Sequence, residues 1–317
     1  MSDAIIDVHT HPLLPAYVRA LTEESGSADG VTLSPWSAEQ HIEVMDQHGI
    51  DVGILSQPAL AEHLVGSEGQ AIARQINEEL AALVAQYPSR FGAFAVVPMD
   101  DMDAAIAEMT YALDVLKLDG LGVSTHRGGK YLGEPEYDPW FEEMNRRGVT
   151  LFVHPVAPDY FEIEKSRINV SVLEFMFDST RMVTNLVLSG TKQRFDQINI
   201  ISTHGGGTIP YLAHRISIAA QMSWAYRDSA KLSYDEILAA LGSFYYDLTA
   251  ATSAAALDAI RHLVPVERLL MGFDFPLMPK ETIAPAIEAF SAYPGFNEDE
   301  KYKIMRGNAA CLFPRLG

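Results

Sequence analysis

The chain has 317 residues, 48% of them hydrophobic and 21% charged, the balance of a soluble globular protein with a large core. Its 23 basic and 42 acidic side chains leave a formal net charge of −19, which argues against nucleic acid or an anionic membrane as a partner. An anionic substrate is not forbidden, provided that local cations and a metal dominate the field where it binds.

The chain opens on Ile5-Ile6-Asp7-Val8-His9-Thr10-His11-Pro12. Two β-branched residues lead a strand that Pro12 ends. Side chains at i and i+2 of a strand share a face, so His9 and His11 converge. Two imidazoles on a buried strand are costly unless something uses their nitrogens, and a divalent metal is the simplest user. Two satisfied or exposed histidines at a strand end are the competing reading.

Leu13 to Pro35 mixes Gly, Ser, Pro and acidic residues and reads as a long loop with one short helix. Loops longer than about 12 to 15 residues are often functional in a compact domain. Ser37 to His48 is helical and stopped by Gly49, and Val52-Gly53-Ile54-Leu55 suits a buried parallel strand. The alternation then repeats. Helix Ala71–Tyr87 precedes strand Phe91–Val97, and Asp100 or Asp101 caps a helix running to Leu116. Strand four is Gly120–Ser124. Helix Pro139–Arg147 leads to strand five, Val149–Val153, and helix Val170–Ser189 to strand six, Ile198–Ser202. Helix Ile209–Trp224 precedes strand seven, Phe244–Leu248, and Leu269–Met271 is strand eight.

Asn297 to Phe313 gives one or two helices expected to seal the outside of the barrel. Cys311, the single cysteine, lies in this terminal run and reads as a small buried hydrophobe rather than a nucleophile. It rules out an internal disulfide and fits a reducing compartment. With no basic stretch before an apolar run at the N-terminus, and no run of about 18 apolar residues, a cytoplasmic protein without membrane contact is expected. Eight strands alternating with helices over about 270 residues indicate a (β/α)8 TIM barrel, an α/β fold. With no linker or low-complexity tract, residues 1–317 read as one domain.

Catalytic groups of such a barrel come from the carboxyl ends of its strands. Four strand ends qualify here: His9 and His11 on the first, His154 on the fifth, His204 on the sixth and Asp274 on the eighth. Each follows an apolar run, as in Leu151-Phe152-Val153-His154 and Ile200-Ile201-Ser202-Thr203-His204. Three imidazoles and a carboxylate suit Zn²⁺, with Mn²⁺, Fe²⁺ or Co²⁺ as competitors. A structural zinc usually has a closed shell with cysteines, and a single cysteine makes an open, catalytic site the better reading.

Asp-x-His-x-His on strand one, His-Pro after strand five, His-Gly-Gly-Gly after strand six and Gly-x-Asp-x-Pro after strand eight together resemble the amidohydrolase superfamily. More narrowly they resemble its nonoxidative decarboxylases, the relatives of aminocarboxymuconate semialdehyde decarboxylase and 6-methylsalicylate decarboxylase. Met45-Asp46-x-x-Gly49-Ile50-Asp51 and Lys130-Tyr131-Leu132-Gly133 also fit that branch. The resemblance implies one divalent metal on His9, His11, His154 and Asp274, with His204 as the acid–base histidine beside it. It also implies a mononuclear site, because Gly122-Val123-Ser124-Thr125 offers no lysine for carbamylation. Phe273 departs from the small polar residue expected before Asp-x-Pro.

The helix Ile209–Trp224 carries more apolar surface (Ile209, Leu212, Ile216, Ile218-Ala219, Met222, Trp224) than one barrel-facing stripe requires, so a homodimer joined through this helix is expected. On it, Arg215 matches an arginine that in this family reaches a neighbouring subunit's site. A guanidinium fork suits a carboxylate, whereas a solvated helix face is its alternative. His126 and Arg127, after strand four, lie on the catalytic side and are candidates for substrate contact. His41, His48, His63, His214 and His262 read as surface or satisfied residues.

The expected activity is nonoxidative decarboxylation of an aromatic or unsaturated carboxylic acid with an ortho hydroxyl, His204 moving the proton. Its rival is hydrolysis of an amide, lactone or ester by a metal-activated water, with Asp274 or His204 moving protons. A metal-stabilised binding protein would need no acid–base group beside the metal.

Overall fold

The computed structural model describes residues 4–22, 27–28, 31–32, 35–57, 65–162, 166–226 and 231–317. Among these, eight strands pair in parallel, in chain order, as one sheet. They are β1 (Ile5–Thr10), β2 (Ile50–Leu55), β3 (Phe91–Ala95), β4 (Gly120–Ser124), β5 (Thr150–His154), β6 (Asn199–Ser202), β7 (Tyr245–Asp247) and β8 (Leu269–Leu270). The sheet curls until its ends meet. Val8 N–H donates to Met271 O at 3.0 Å, and Thr10 bridges Phe275 in parallel pairing. With helices between successive strands, this is the expected (β/α)8 barrel.

Capping decides several helix starts. Ser37 accepts from Gln40 N–H at 3.2 Å, Asp101 from Ala104 N–H at 3.1 Å, and Ser233 with Glu236 forms a reciprocal capping box. One apolar cluster joins strand residues such as Leu151 and Ile200 to helix residues such as Leu80, Met109 and Trp140. A second fills the barrel's interior with Ile6, Val8, Val52, Ile54, Phe94, Phe152, Ile201 and Leu270. Both faces of the strands are therefore covered, which is why they read as nearly continuous apolar runs.

Two expectations about the C-terminus are corrected. The terminal segment does not seal the barrel's outside; it closes its floor. Ala309, Phe313 and Leu316 belong to the interior cluster, and the Phe313 ring meets Phe94 at 5.6 Å. Cys311 is exposed, not buried. A π-helical turn at Lys303–Gly307 precedes the helix Asn308–Leu312. Ala309 and Phe313, one turn apart, take the inward face, and Cys311 between them points away.

The helix starting at Ile209 ends at Ala219, short of the expected Trp224. No helix among the described residues is long and apolar enough to cross a membrane.

Candidate metal centre

His9 and His11 from β1, His154 ending β5 and Asp274 just past β8 converge at the carboxyl rim of the barrel. One ligand atom from each lies within 4.8 Å of all the others. His9 Nε2 and His11 Nε2 face each other at 3.1 Å, and Asp274 Oδ1 is 2.9 Å from His11 Nε2 and 3.5 Å from His9 Nε2.

The outer nitrogens explain the orientation. His9 Nδ1 donates to Asp247 Oδ2 at 2.9 Å, His11 Nδ1 to Ser56 O at 2.8 Å, and His154 Nδ1 to Pro155 O at 2.8 Å. With each Nδ1 proton committed to an oxygen, the three Nε2 lone pairs are turned to the centre. His154 Nε2 and Asp274 Oδ1 are buried without a hydrogen-bond partner. The short Asp274–His11 approach is thus a contact without hydrogen-bond alignment. Buried polar atoms converging in this way fit a divalent cation between them.

The local backbone is built for this. The β1–β2 register slips between Asp7 and Thr10, an irregularity of the kind that re-aims side chains. Asp7 folds back to accept His9 N–H at 2.9 Å and Phe273 N–H at 3.2 Å, tying β1 to the chain beyond β8. His204 and Asp274 both sit at positive φ, 53° and 60°. For non-glycine residues such strain costs about 1–3 kcal/mol each and is characteristic of functional sites. Two glycines after His204 are required. A Cβ on Gly206 would lie 2.1 Å from the Tyr246 ring, and one on Gly207 would lie 2.0 Å from Met176 O.

Burial and charge set the protonation. Burial pushes the Asp7 carboxyl up to about 8 despite its two N–H donors. It opposes a charge on His9, but Asp247 and Asp274 outweigh it and push that imidazole up to about 10. Burial likewise opposes the Asp274 carboxylate, yet His9 and His11 hold it well below the usual range. Burial and the neighbouring histidines keep His154 far below the ordinary imidazole value, and burial with His9 holds His204 at about 4. The proton on His9 supplies the positive charge that two carboxylates demand, and a bound divalent ion would take its place.

His204 stands beside the four ligand residues, its ring centroid 4.9 Å from His9 and 5.5 Å from His154. Its Nε2 is buried and unpartnered. Asp247, which the sequence reading did not single out, is the link. Its Oδ1 accepts His204 N–H at 3.0 Å while Oδ2 holds His9. It ends β7, so the strand-end rule that found the other residues applies to it equally.

His126 is buried at the end of β4, but the structure joins it to a different carboxylate. Both of its ring nitrogens lack a hydrogen bond, and Nε2 lies 3.7 Å from Asp178 Oδ1. Asp178, fully buried on the helix Val170–Leu188, accepts Tyr131 OH at 2.6 Å, Val156 N–H at 3.1 Å and the Thr125 hydroxyl. Arg215 is exposed on the helix Ile209–Ala219, away from the ligand cluster. His41 is a buried, satisfied histidine, whereas His214 and His262 are exposed and His48 is half-buried. His63 lies outside the described residues.

The amidohydrolase family pattern matches residues 6–315. The 6-methylsalicylic acid decarboxylase of Penicillium expansum is 31% identical over 318 residues, 99% of this chain and 97% of that protein. The crystal structure of 2,6-dihydroxybenzoate decarboxylase from Rhizobium superposes with a TM-score of 0.82 at 25% identity, covering 99% of both chains. That of a dihydroxybenzoic acid decarboxylase from Polaromonas, with bound manganese and 2-nitroresorcinol, has the same fold, with a TM-score of 0.82 at 22% identity over 98% of this chain and 97% of that one.

Proposed function

The chain belongs to the amidohydrolase family, and from that membership we propose that it is a metal-dependent nonoxidative decarboxylase of an aromatic acid with an ortho hydroxyl. The observation that carries the reading is His204, whose unpartnered Nε2 stands beside four ligand residues where an acid–base group is needed. The decarboxylases above that act on 6-methylsalicylic acid and 2,6-dihydroxybenzoate support it, since both of those acids carry an ortho hydroxyl.

His9, His11, His154 and Asp274 would hold a divalent ion, which would supply Lewis acidity toward the acid when bound. We assign zinc on the donor set, with manganese as the first competitor. All four ligand residues are buried. His204, its Nε2 unpartnered beside the ligands, accepts the proton of the ortho hydroxyl. It returns that proton to the ring carbon bearing the carboxylate. The bond to the carboxylate then breaks, its electron pair restores the aromatic ring as a phenolate that takes a proton from water, and CO₂ leaves. Asp247 keeps the His204 backbone and the His9 ring in fixed relation throughout. His126, unpartnered at the rim of β4, is our candidate for a polar contact to a ring substituent.

CO₂ release from 6-methylsalicylic and 2,6-dihydroxybenzoic acids, measured beside a lactone and an amide, tests the reading. Metal-dependent CO₂ release is expected. Hydrolysis of the lactone or amide without any CO₂ from either acid would overturn it.

We further propose a cytoplasmic homodimer of one-domain subunits. Exposed apolar side chains on and just after the helix Ile209–Ala219 support the dimer: Tyr211 is 84% accessible and Trp224 79%, with Ile218 and Met222 between them in sequence also exposed. Exposed apolar area of this kind marks interaction sites, and Arg215 projects from the same helix. If Arg215 completes the partner's site, mixing inactive Arg215→Ala and His204→Ala subunits restores roughly a quarter of wild-type activity on random exchange. Confirmed exchange without recovery would remove Arg215 from the partner's site.

A further inference from the structure

The barrel is closed by its shortest strand, and three of the four metal-ligand residues stand at that closure. His9 and His11 lie on one side of the β1–β8 seam and Asp274 on the other. Between the histidines sits Thr10, fully buried, whose hydroxyl donates to Phe275 O at 2.9 Å. Phe275 immediately follows Asp274, and its carbonyl also accepts His11 N–H at 2.8 Å.

His41, on the helix Ala38–Gln47, reaches this seam from outside the barrel wall. Its Nε2 is 2.9 Å from Thr10 Oγ1, and its Nδ1 is 2.9 Å from Trp36 Nε1. An indole N–H can only donate. His41 Nδ1 must therefore be the acceptor, which leaves the proton on Nε2 and makes Thr10 Oγ1 accept it. The Thr10 hydroxyl proton is then directed to Phe275 O. Trp36 thus sets the direction of the whole chain.

From this geometry we infer that His41 is a positioning residue for the metal centre: it fixes the Thr10 hydroxyl so that the two halves of the ligand set are clamped across the seam. A merely space-filling His41 would be replaced without loss by Phe, because its neighbours include the rings of Phe91 at 5.7 Å and Phe275 at 4.9 Å. The clamp requires an acceptor toward Trp36 and a donor toward Thr10. Gln has both on one amide, and Phe has neither.

The inference rests on the metal reading above, and Co²⁺ binding separates the two. The measurements are the Co²⁺ dissociation constant and the visible absorption of the Co²⁺-loaded protein, for wild type, His41→Phe, His41→Gln, Thr10→Val and His41→Phe/Thr10→Val. Residues that orient ligands typically carry a 10–100-fold effect on metal affinity. We expect about tenfold weaker Co²⁺ binding and an altered spectrum in His41→Phe and in Thr10→Val. We expect about the same loss, not its square, in the double variant, because both substitutions break one chain. His41→Gln should recover most of the affinity. Should His41→Phe fail to fold, Thr10→Val against His41→Gln still decides. Wild-type affinity and spectrum in His41→Phe, additive losses in the double variant, or Gln no better than Phe would each overturn the inference. A wild-type protein that binds no Co²⁺ would instead overturn the metal reading itself.

Discussion

Each barrel strand has two ends under opposite demands, and β1 shows both. Its lower half puts Ile6 and Val8 into an apolar interior with Phe94, Phe152 and Phe313. Its upper end carries His9 and His11, buried among other ionisable groups, with partnerless Nε2 and Oδ1 atoms on His154 and Asp274 close by. Residues at the floor need nothing beyond one another. Those at the rim hold strain at His204 and Asp274 and a cluster of buried ionisable groups that fits a divalent cation. Conservative apolar packing can support the first but not the second. The same strands therefore supply stability at one end and chemistry at the other.

Substitutions should separate the two ends, and the largest effect belongs to the rim. His9→Ala or Asp274→Ala removes a ligand and with it several kcal/mol of transition-state stabilisation, on the order of 10⁴-fold in turnover. Elemental analysis of either purified variant should find the divalent metal lost or strongly depleted. Full metal content would show the ligand assignment to be wrong. At the floor, Phe313→Ala should destabilise the fold by about 3–5 kcal/mol, as for a large aromatic removed from a packed core. Denaturant unfolding gives the number, and the folded fraction should keep wild-type turnover. A loss of kcat in the fully folded variant would break the separation between floor and rim.

Asp247→Asn is the intermediate case. It keeps the shape but removes the charge that orients His9, and should weaken metal affinity or turnover about 10–100-fold. An unchanged enzyme would reduce Asp247 to a packing residue.

His41 gives an effect spread over a pH window, smallest at any one step of pH, and one with a sign. Burial, reinforced by His11, lowers its pKa from 6.5 to about 3 in the folded protein. The unfolded chain then binds a proton that the native state refuses as pH falls below 6.5. Stability from this group is complete above 6.5 and falls between 6.5 and about 3, by roughly 1.4 kcal/mol per pH unit. Unfolding free energies of wild type and His41→Phe, compared across that window, should differ in slope by about this amount. Parallel curves would mean that His41 takes up its proton in the native state.

Legibility in the sequence follows the same division. The strand-end residues can be found because each follows an apolar run, and the rule that ligands sit at carboxyl ends needs no knowledge of packing. Asp247 obeys that rule within Tyr245-Tyr246-Asp247 and could have been read; only its lack of a familiar motif hid it. His41 and Asp178 could not. They lie on helices, where a polar residue on an inward face looks like one on the outer face until the partner, Thr10 in one case and Thr125 in the other, is known. Cys311 shows the limit at the level of phase, since the run Ala309–Phe313 is apolar throughout and does not say which of its residues face the barrel; Ala309 and Phe313 do, and Cys311 does not.

The central claim is that a proton moved by His204 replaces the carboxylate on the ring carbon. It is tested most directly by running the reaction in D₂O with 6-methylsalicylic acid and locating deuterium in the product by NMR, for wild type and His204→Ala loaded with metal. The account predicts one deuterium per CO₂, at the carbon that bore the carboxylate. It also predicts that metal-replete His204→Ala loses about 10²-fold or more of that turnover. Undiminished, equally placed deuterium in His204→Ala, or a loss of metal in that variant, would contradict it.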